Sequence, residues 1–201
     1  MSERTFNDFV LVGGTALSLQ LGHRISEDID LFPYVEYGTL DLEAIRNSLK
    51  RLFPFTEDVD EINRRQIGYT VYIGKSKEQQ IKLDMFYMGP LITPVVEADG
   101  IRLASLQDIA AMKLLAIVGS KRKKEFWDIH TLLEKFSLQE IIDFGLSRYP
   151  YSFEKEDILN ALETPYEDIV DYPVTDLRGN YWELIVEDLH DYVKEYKTQN
   201  L

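Results

Sequence analysis

Two aspartates separated by one residue give the first indication of chemistry in this chain. Asp28 and Asp30 lie in the alternating stretch Asp28–Phe32, which predicts a β-strand. Successive side chains of a strand point to opposite faces, so both carboxylates point to one side, with their Cα atoms roughly 7 Å apart. This spacing suits joint binding of a hard divalent cation, which prefers oxygen ligands. The alternative is a pair of solvated aspartates on an outward strand face.

A glycine-rich turn comes shortly before these aspartates. The apolar run Phe9–Val12 predicts a buried strand, after which Gly13, Gly14 and Thr15 open a short helix that stops at Gly22. Glycine permits close approach of the backbone, and the N–H groups at a helix start favour phosphate. We therefore expect the turn to hold a triphosphate while the aspartates hold its Mg²⁺. A plain strand-to-helix turn is the alternative.

A third carboxylate is expected on a later strand. In the predicted strand Gln80–Tyr87, apolar residues share one face, whereas Lys82 and Asp84 share the other. Three carboxylates on neighbouring strands would form an oxygen-rich site for a pair of Mg²⁺ ions, which can activate a hydroxyl and stabilise leaving pyrophosphate. Asp84 would then bind the ion on the acceptor side or act as the base.

Basic residues of the later helices could neutralise phosphate charge. Lys113 lies on an apolar helical stripe, where its ammonium either reaches a substrate cleft or extends to solvent. The run Lys121–Lys124 stands at a helix start, where cations oppose the helix dipole. That opposition favours anion binding, and a solvated helix start is the alternative.

Three further polar residues each allow two interpretations. His23 and Arg24 lie in the link before the aspartates, and they either contact phosphate or are merely exposed. Asp128 follows Lys124 by four residues, so a simple helical ion pair between them is the alternative to a role in a site.

Composition excludes several classes of protein. The chain has no cysteine and only three histidines, so thiolate chemistry is excluded and a histidine-rich metal site is disfavoured. No run approaches the roughly 20 apolar residues that span a bilayer, and we expect a cytoplasmic protein with no membrane partner. The net charge is −13, and residues 154–195 hold 13 acidic side chains against three basic ones. An extended duplex-binding surface is disfavoured there, because acidic surfaces repel phosphates.

The remaining pattern predicts the elements that position these residues. Strand patterns precede residue 104 and helical patterns follow it, which is typical of an α+β fold. We predict an α/β core over 1–104 and a helical subdomain with an acidic C-terminal segment over 105–201. Other strands are predicted over Thr56–Val59, Gln66–Ile73 and Gly100–Leu103, with a connection at 74–77. Helices are predicted over Leu40–Phe53, Ser105–Val118, Lys123–Phe136, Ser137–Ser147, Glu154–Leu162 and Tyr181–Tyr196, with a long loop over 164–180.

These motifs together resemble one known family. GGTALSLQLGHRISEDIDLF is similar to the opening motif of the AbiEii-type nucleotidyltransferases, a toxin-like branch of the polymerase-β-type superfamily. KLDMFY resembles that family's strand with the third carboxylate. SLQDIAAMKLLAI followed by KRKKEFWDIHTLLEKF resembles its helical signature. The resemblance covers Phe9–Lys135 with the motifs in the family's order.

The resemblance implies a minimal nucleotidyltransferase fold, a mixed sheet with flanking helices. It implies Mg²⁺-dependent transfer of a nucleoside monophosphate from an NTP to an acceptor hydroxyl of RNA or protein. The metal ligands would be Asp28, Asp30 and Asp84, and the other catalytic residues Lys113 and Asp128. The residues expected to bind nucleotide are Gly13, Gly14, Thr15, Arg24, Lys121 and Lys124. Members are often toxins with an antitoxin encoded beside them, so an antitoxin is an expected partner. The alternative is a non-catalytic nucleotide-binding module.

Some positions depart from the family pattern. Thr15 stands where serine is common and keeps the hydroxyl, and Glu125 stands where aspartate is usual before phenylalanine. About eight residues precede the first strand, where relatives usually have helices, and the acidic C-terminal segment matches no recognised motif.

Overall fold

The computed structural model describes residues 3–33, 35–59, 68–87 and 89–200. The strands are β1 (Phe9–Val12), β2 (Ile29–Pro33), β3 (Phe55–Asp58), β4 (Gly68–Ser76), β5 (Gln79–Phe86), β6 (Val96–Ala98) and β7 (Ile101–Leu103). The helices are α1 (Gly13–Leu21), α2 (Leu42–Leu52), α3 (Leu106–Ser120), α4 (Lys123–Leu133), α5 (Leu138–Arg148), α6 (Lys155–Leu162) and α7 (Trp182–Asn200). Short 3₁₀ turns cover Arg4–Phe6 and Tyr166–Asp168.

The strands form one mixed sheet in the order β3-β4-β5-β2-β1-β7-β6. β2 lies at its centre, antiparallel to β1 and parallel to β5. β3, β4 and β5 form an antiparallel meander, whereas β1 pairs with β7 in parallel. The central position of β2 means that its neighbours on both sides fix the register of the predicted aspartates.

The chain folds into two compact units. The first comprises Met1–Ala16, Ser26–Pro90 and Pro94–Ala104, and the second comprises Leu17–Ile25, Leu91–Thr93 and Ser105–Leu201. The first unit holds the sheet and α2, with Val71, Leu83 and Met85 of the sheet buried. The second holds α3 to α7 around a core of buried aliphatic side chains, among them Leu114, Ile129, Ile141, Leu189 and Val193.

The predicted α+β class is confirmed, since a mixed sheet precedes a run of helices. Each predicted helix and strand has a counterpart, although residues 66 and 67 of one predicted strand lie outside the described part of the chain. The predicted capping box at the start of α5 is confirmed, with the Ser137 and Glu140 side chains each accepting from the other's backbone N–H. The predicted domain boundary between 104 and 105 stays a prediction.

Some predicted boundaries were wrong for identifiable reasons. The connection at 74–77 is shorter than expected, because β4 continues through a bulge to Ser76. Gly74 is needed there, since a side chain would overlap the backbone of Gln79 on the partner strand. The helix predicted to stop at Val118 continues to Ser120, and the chain leaves it at Lys121 in a left-handed conformation (φ 47°). Glycine in a helix costs only about 1 kcal/mol, so Gly119 alone does not end it.

Other elements differ because short or polar segments carry little periodic signal. β6 has three exposed residues and was not predicted. The helix predicted to start at Lys123 ends at Leu133 rather than at residue 136, and α7 runs to Asn200 rather than to residue 196. The predicted loop over 164–180 contains one 3₁₀ turn and two isolated bridges, Arg24 with Asp176 and Arg122 with Val170.

Candidate active site

The three predicted carboxylates lie on neighbouring strands of the first unit. β2 and β5 run parallel with Asp30 directly opposite Asp84, and Asp28 immediately precedes β2. Directly paired residues of adjacent strands point to the same face, at an interstrand spacing of about 4.8 Å. All three aspartates are half-buried. The sheet therefore brings Asp28, Asp30 and Asp84 to one face, as the alternation of the sequence predicts.

Asp84 has a cation and a hydroxyl beside it. Lys82 Nζ lies 2.5 Å from Oδ2 of Asp84, and Thr70 Oγ1 donates to Oδ1 at 2.7 Å. Burial opposes the charged form of Lys82, but the carboxylate of Asp84, followed by those of Asp28 and Asp30, raises the pKa of Lys82 above its ordinary value. The ammonium of Lys82 is thus part of this acidic cluster. Its contact with Asp84 is consistent with the strand face that the two residues share.

The glycine turn packs against the same aspartates. Gly13 starts α1 with φ +68°, a conformation that favours glycine, and an added Cβ would overlap Oδ2 of Asp30. The hydroxyl of Thr15 donates to the backbone carbonyl of Asp28. Bare backbone therefore stands beside Asp30, and Thr15 fixes the chain at Asp28. The predicted phosphate contacts of Gly13, Gly14 and Thr15 stay predictions.

Lys113 and Asp128 form a buried ion pair in the second unit. Lys113 Nζ lies 2.6 Å from Oδ2 of Asp128 and 2.6 Å from Oε2 of Glu125, and all three side chains are buried. Burial favours neutral Lys113, but the two carboxylates outweigh it and raise its pKa. The alternative in which Lys113 extends to solvent is wrong, because only 6% of the residue is exposed. Its catalytic role stays a prediction.

His23 and Arg24 complete this ion cluster. His23 Nε2 lies 2.7 Å from Oδ1 of Asp128, while Arg24 donates to the same carboxylate through Nε at 2.6 Å and through its terminal nitrogen at 2.8 Å. The alternative that these two residues are merely exposed is wrong, since they are 0% and 4% exposed. Nδ1 of His23 is buried and has no hydrogen-bond partner among the described residues. The Arg24 guanidinium is paired with Asp128 in the structure. The predicted contact of Arg24 with phosphate stays a prediction.

The basic run has several partners within the second unit. Arg122 lies 2.9 Å from Glu125, Lys123 lies 3.6 Å from Asp171, and the ammonium of Lys124 stands 4.3 Å from the centre of the Tyr172 ring. Lys121 is the left-handed C-cap of α3. These contacts explain how a helix start tolerates dense positive charge, and nucleotide binding by Lys121 and Lys124 stays a prediction.

A cavity of about 620 Å³ lies elsewhere in the first unit, where the chain leaves β2 and β5. Its described lining includes Pro33, Glu36, Tyr37 and Tyr87, with the two tyrosine rings 5.1 Å apart. The predicted site residues are absent from that described lining. The Tyr87 hydroxyl accepts from the backbone of Leu40, which indicates a structural role for this ring.

The residues of the acidic cluster fit a divalent metal in chemistry, although their present geometry is incomplete. Asp28, Asp30 and Asp84 supply only oxygen ligands, and glycine at position 13 lets the backbone approach Asp30 closely. Within the described ranges, no three acidic or histidine side chains converge closely enough to enclose a metal ion. The ammonium of Lys82 already lies against Asp84.

A mixed sheet that pairs an Asp-x-Asp strand with a second aspartate strand, after a glycine turn, is the arrangement that the resemblance to the nucleotidyltransferase class implies. Two solved structures share the fold. MenT4, a nucleotidyltransferase toxin from Mycobacterium tuberculosis, has a TM-score of 0.65 at 12% identity over 96% of this chain and 78% of that one. A proposed nucleotidyltransferase from Helicobacter pylori has a TM-score of 0.60 at 19% identity over 97% and 88%.

Sequence comparison then places the chain within that class. The model of the family described as nucleotidyl transferase AbiEii toxin, type IV toxin–antitoxin system, matches residues 3–179. An uncharacterized protein of Aquifex aeolicus is 32% identical, covering 94% of this chain and 88% of that protein. The chain belongs to the AbiEii nucleotidyltransferase toxin family, which confirms the resemblance and the enzyme class. Among the described residues, no helix is long and apolar enough to cross a membrane.

Proposed function

We propose that this chain transfers a nucleoside monophosphate from an NTP to an acceptor hydroxyl in the presence of Mg²⁺. The pairing of Asp30 with Asp84 on adjacent parallel strands supports this proposal most directly, because it aligns two carboxylates from separate parts of the sequence. In the reaction, a bond forms between the acceptor oxygen and the α-phosphorus, the bond from that phosphorus to the bridging oxygen breaks, and pyrophosphate leaves.

Asp28, Asp30 and Asp84 are the residues that would hold the metal. Bound Mg²⁺ would neutralise charge on the phosphates and the leaving pyrophosphate. Gly13 and Gly14 would present backbone N–H groups at the start of α1 to the triphosphate. Asp84 would orient the acceptor hydroxyl and accept its proton. Lys113 and Asp128 are the residues of the second unit proposed to assist, and Arg24, Lys121 and Lys124 are proposed to contact phosphate.

The acceptor and the biological role also belong to the proposal. We infer that the acceptor is RNA or protein and that the chain is a toxin held in check by an antitoxin. MenT4 is a nucleotidyltransferase toxin and the AbiEii family is a toxin family, which supports this role. Growth arrest on induced expression in a bacterium, relieved by Asp30→Asn, would support it. Equal arrest by both forms would contradict a toxic transferase.

An assay of the transfer itself tests the proposal. The chain is incubated with Mg²⁺, one of the four α-labelled NTPs, and total cell RNA or protein, and both pyrophosphate release and label on the acceptor are measured. We expect label on either RNA or protein. Asp30→Asn and Asp84→Asn should abolish both the labelling and the release of pyrophosphate. Glu97→Gln, on the exposed strand β6 of the same unit, removes the same charge and is expected to keep full activity. Tight NTP binding without release under any acceptor would contradict the proposal and indicate a binding module.

A further inference from the structure

Both carboxylate oxygens of Asp84 already have a partner in the structure. Its Oδ2 lies 2.5 Å from the ammonium of Lys82, and its Oδ1 accepts from Thr70 at 2.7 Å. Lys82 and Asp84 are two residues apart on β5 and therefore share a strand face. This contact is intrinsic to the strand, since no loop has to move to make it.

Lys82 stands in the combined field of three carboxylates. Asp84 acts on it most strongly, and Asp28 and Asp30 act in the same direction. Its side chain is 36% exposed, against 14% for Asp84. A flexible four-carbon chain with an accessible head can turn toward solvent at small cost, whereas the carboxylate is held by its strand. The cation is thus the mobile partner of the pair.

We propose that Lys82 is an internal counter-ion of the carboxylate cluster, which holds Asp84 in the metal-free protein and releases it when a divalent cation binds. The inference rests on the proposed function, in which Asp28, Asp30 and Asp84 hold the metal. An ammonium and a metal ion repel one another and require the same carboxylate oxygen. Lys82 and the metal therefore compete, and Lys82 sets the metal concentration at which the site fills.

Competition has a consequence for the geometry of the cluster. While Lys82 pairs with Asp84, the three aspartates are not drawn onto one centre, which agrees with the incomplete convergence of acidic side chains in the described residues. Release of Lys82 would free Oδ2 of Asp84 to join Asp28 and Asp30. Lys82 is a positioning residue in this scheme, because it acts through Asp84.

Calorimetric titration of the full chain with Mg²⁺ and Mn²⁺, in the absence of NTP, tests the competition. We expect Lys82→Met to bind either ion about fivefold more tightly, the worth of a partly exposed ion pair. The metal-free variant is expected to melt at a lower temperature, because Asp84 loses its counter-ion, and added metal is expected to raise its melting temperature more than that of the parent. Lys82→Arg, which keeps the charge, is expected to restore the parent affinity.

Lys77→Met is the matched control. Lys77 lies in the turn between β4 and β5 and pairs loosely with Glu57 at 3.9 Å. Lys77→Met changes the net charge by the same amount as Lys82→Met. Equal tightening in both variants would overturn the inference in favour of a general charge effect, as would unchanged or weaker metal binding in Lys82→Met. Should Lys82→Met not fold, Lys82→Gln serves in its place. Absence of metal binding in every variant would overturn the metal site of the proposed function as well, which separates the two failures.

Discussion

Asp128 lies at the centre of the buried ion cluster of the second unit. Its buried carboxylate accepts from His23 and Arg24 and pairs with Lys113. Removing one partner from a buried ion cluster leaves the remaining charges uncompensated in a medium that solvates them poorly. The cluster thus connects the link before β2 and the middle of α3 to one side chain in the middle of α4.

Asp128→Asn should therefore lower the free energy of unfolding by about 3–5 kcal/mol, measured by urea denaturation. Asp171→Asn is the control, because Asp171 is 91% exposed in side chain and lies 3.6 Å from Lys123. An exposed pair of that kind contributes below about 1 kcal/mol. Similar losses of unfolding free energy in the two variants would show that the buried cluster contributes no more to stability than an exposed ion pair.

The same carboxylate predicts a dependence of stability on pH. Burial alone would raise the pKa of Asp128, but Lys113 and the hydrogen bonds from His23 and Arg24 outweigh it and hold that pKa far below its ordinary value. The stabilisation is complete above the unfolded-state pKa of about 3.9 and is lost as pH falls toward the folded-state value. The stability difference between the parent and Asp128→Asn should shrink below about pH 4. A difference that grew on acidification would contradict this sign.

Single residues could be predicted from the sequence only where the signal is local. The alternation of β2 and β5 places Asp28, Asp30 and Asp84 correctly on one face, and it also pairs Lys82 with Asp84. The contact of His23 with Asp128 joins residues separated by 105 positions, and one sequence carries no pattern that reports it. The position of Lys113 on an apolar helical stripe was a local sign that its ammonium pairs with a buried carboxylate.

At the scale of elements, the start of α1 couples backbone conformation to the acidic cluster. Gly13 has φ +68° and faces Oδ2 of Asp30, whereas Gly22, after the end of the same helix, has φ +59° and open space where a Cβ would stand. Both positions strain an L-residue equally through the backbone, and only Gly13 adds a steric conflict with Asp30.

Gly13→Ala and Gly22→Ala therefore form a matched pair. Each should lose about 1–2 kcal/mol of stability from the left-handed backbone, measured by thermal or urea unfolding. Only Gly13→Ala should also lose nucleotide transfer, by on the order of a hundredfold, because a displacement of about 1 Å in a catalytic group has that effect. Equal activity in the two variants would show that the spacing between α1 and Asp30 is unimportant for the reaction.

Elements with strong periodicity or explicit caps were predictable, and elements set by neighbouring strands were not. The Ser137–Glu140 capping box and the amphipathic pattern of α2 define their helices locally. The bulge near Gly74 and the three-residue strand β6 exist because a partner strand pairs with them. Their lengths depend on tertiary contacts, which override weak local preferences.

For the whole molecule, charge is distributed very unevenly. The net charge of −13 arises largely from residues 154–195, and the family match ends at residue 179, before α7. α7 presents exposed Glu183, Glu187 and Asp191 at four-residue spacing, while its buried side includes Trp182 and Leu189. A polyanionic acceptor would be repelled by that exposed side, so RNA, if it is the acceptor in the proposed reaction, would have to approach elsewhere.

The division into two units is also a property of the whole chain, and it cannot be read from the order of elements. The chain passes between the units five times, and Leu17–Ile25 and Leu91–Thr93 belong to the second although strands of the first flank them. Asp108, buried in α3, accepts from the backbone N–H groups of Ile92 and Thr93 and pairs with Arg148 at 2.5 Å. The second unit therefore takes essential polar contacts from residues before the proposed boundary at 104.

Fragments cut at that boundary test this interdependence. A chain of residues 105–201 retains Lys113 and Asp128 but loses His23 and Arg24, and it also loses the backbone donors to Asp108. We expect it to be helical by circular dichroism yet to unfold without a sharp transition, and to give poorly dispersed amide NMR signals, because two buried carboxylates lose some of their partners. Co-expression with residues 1–104 should restore dispersion by returning those partners. A cooperatively folded 105–201 fragment with native-like signals would show instead that the helical part is a self-sufficient domain.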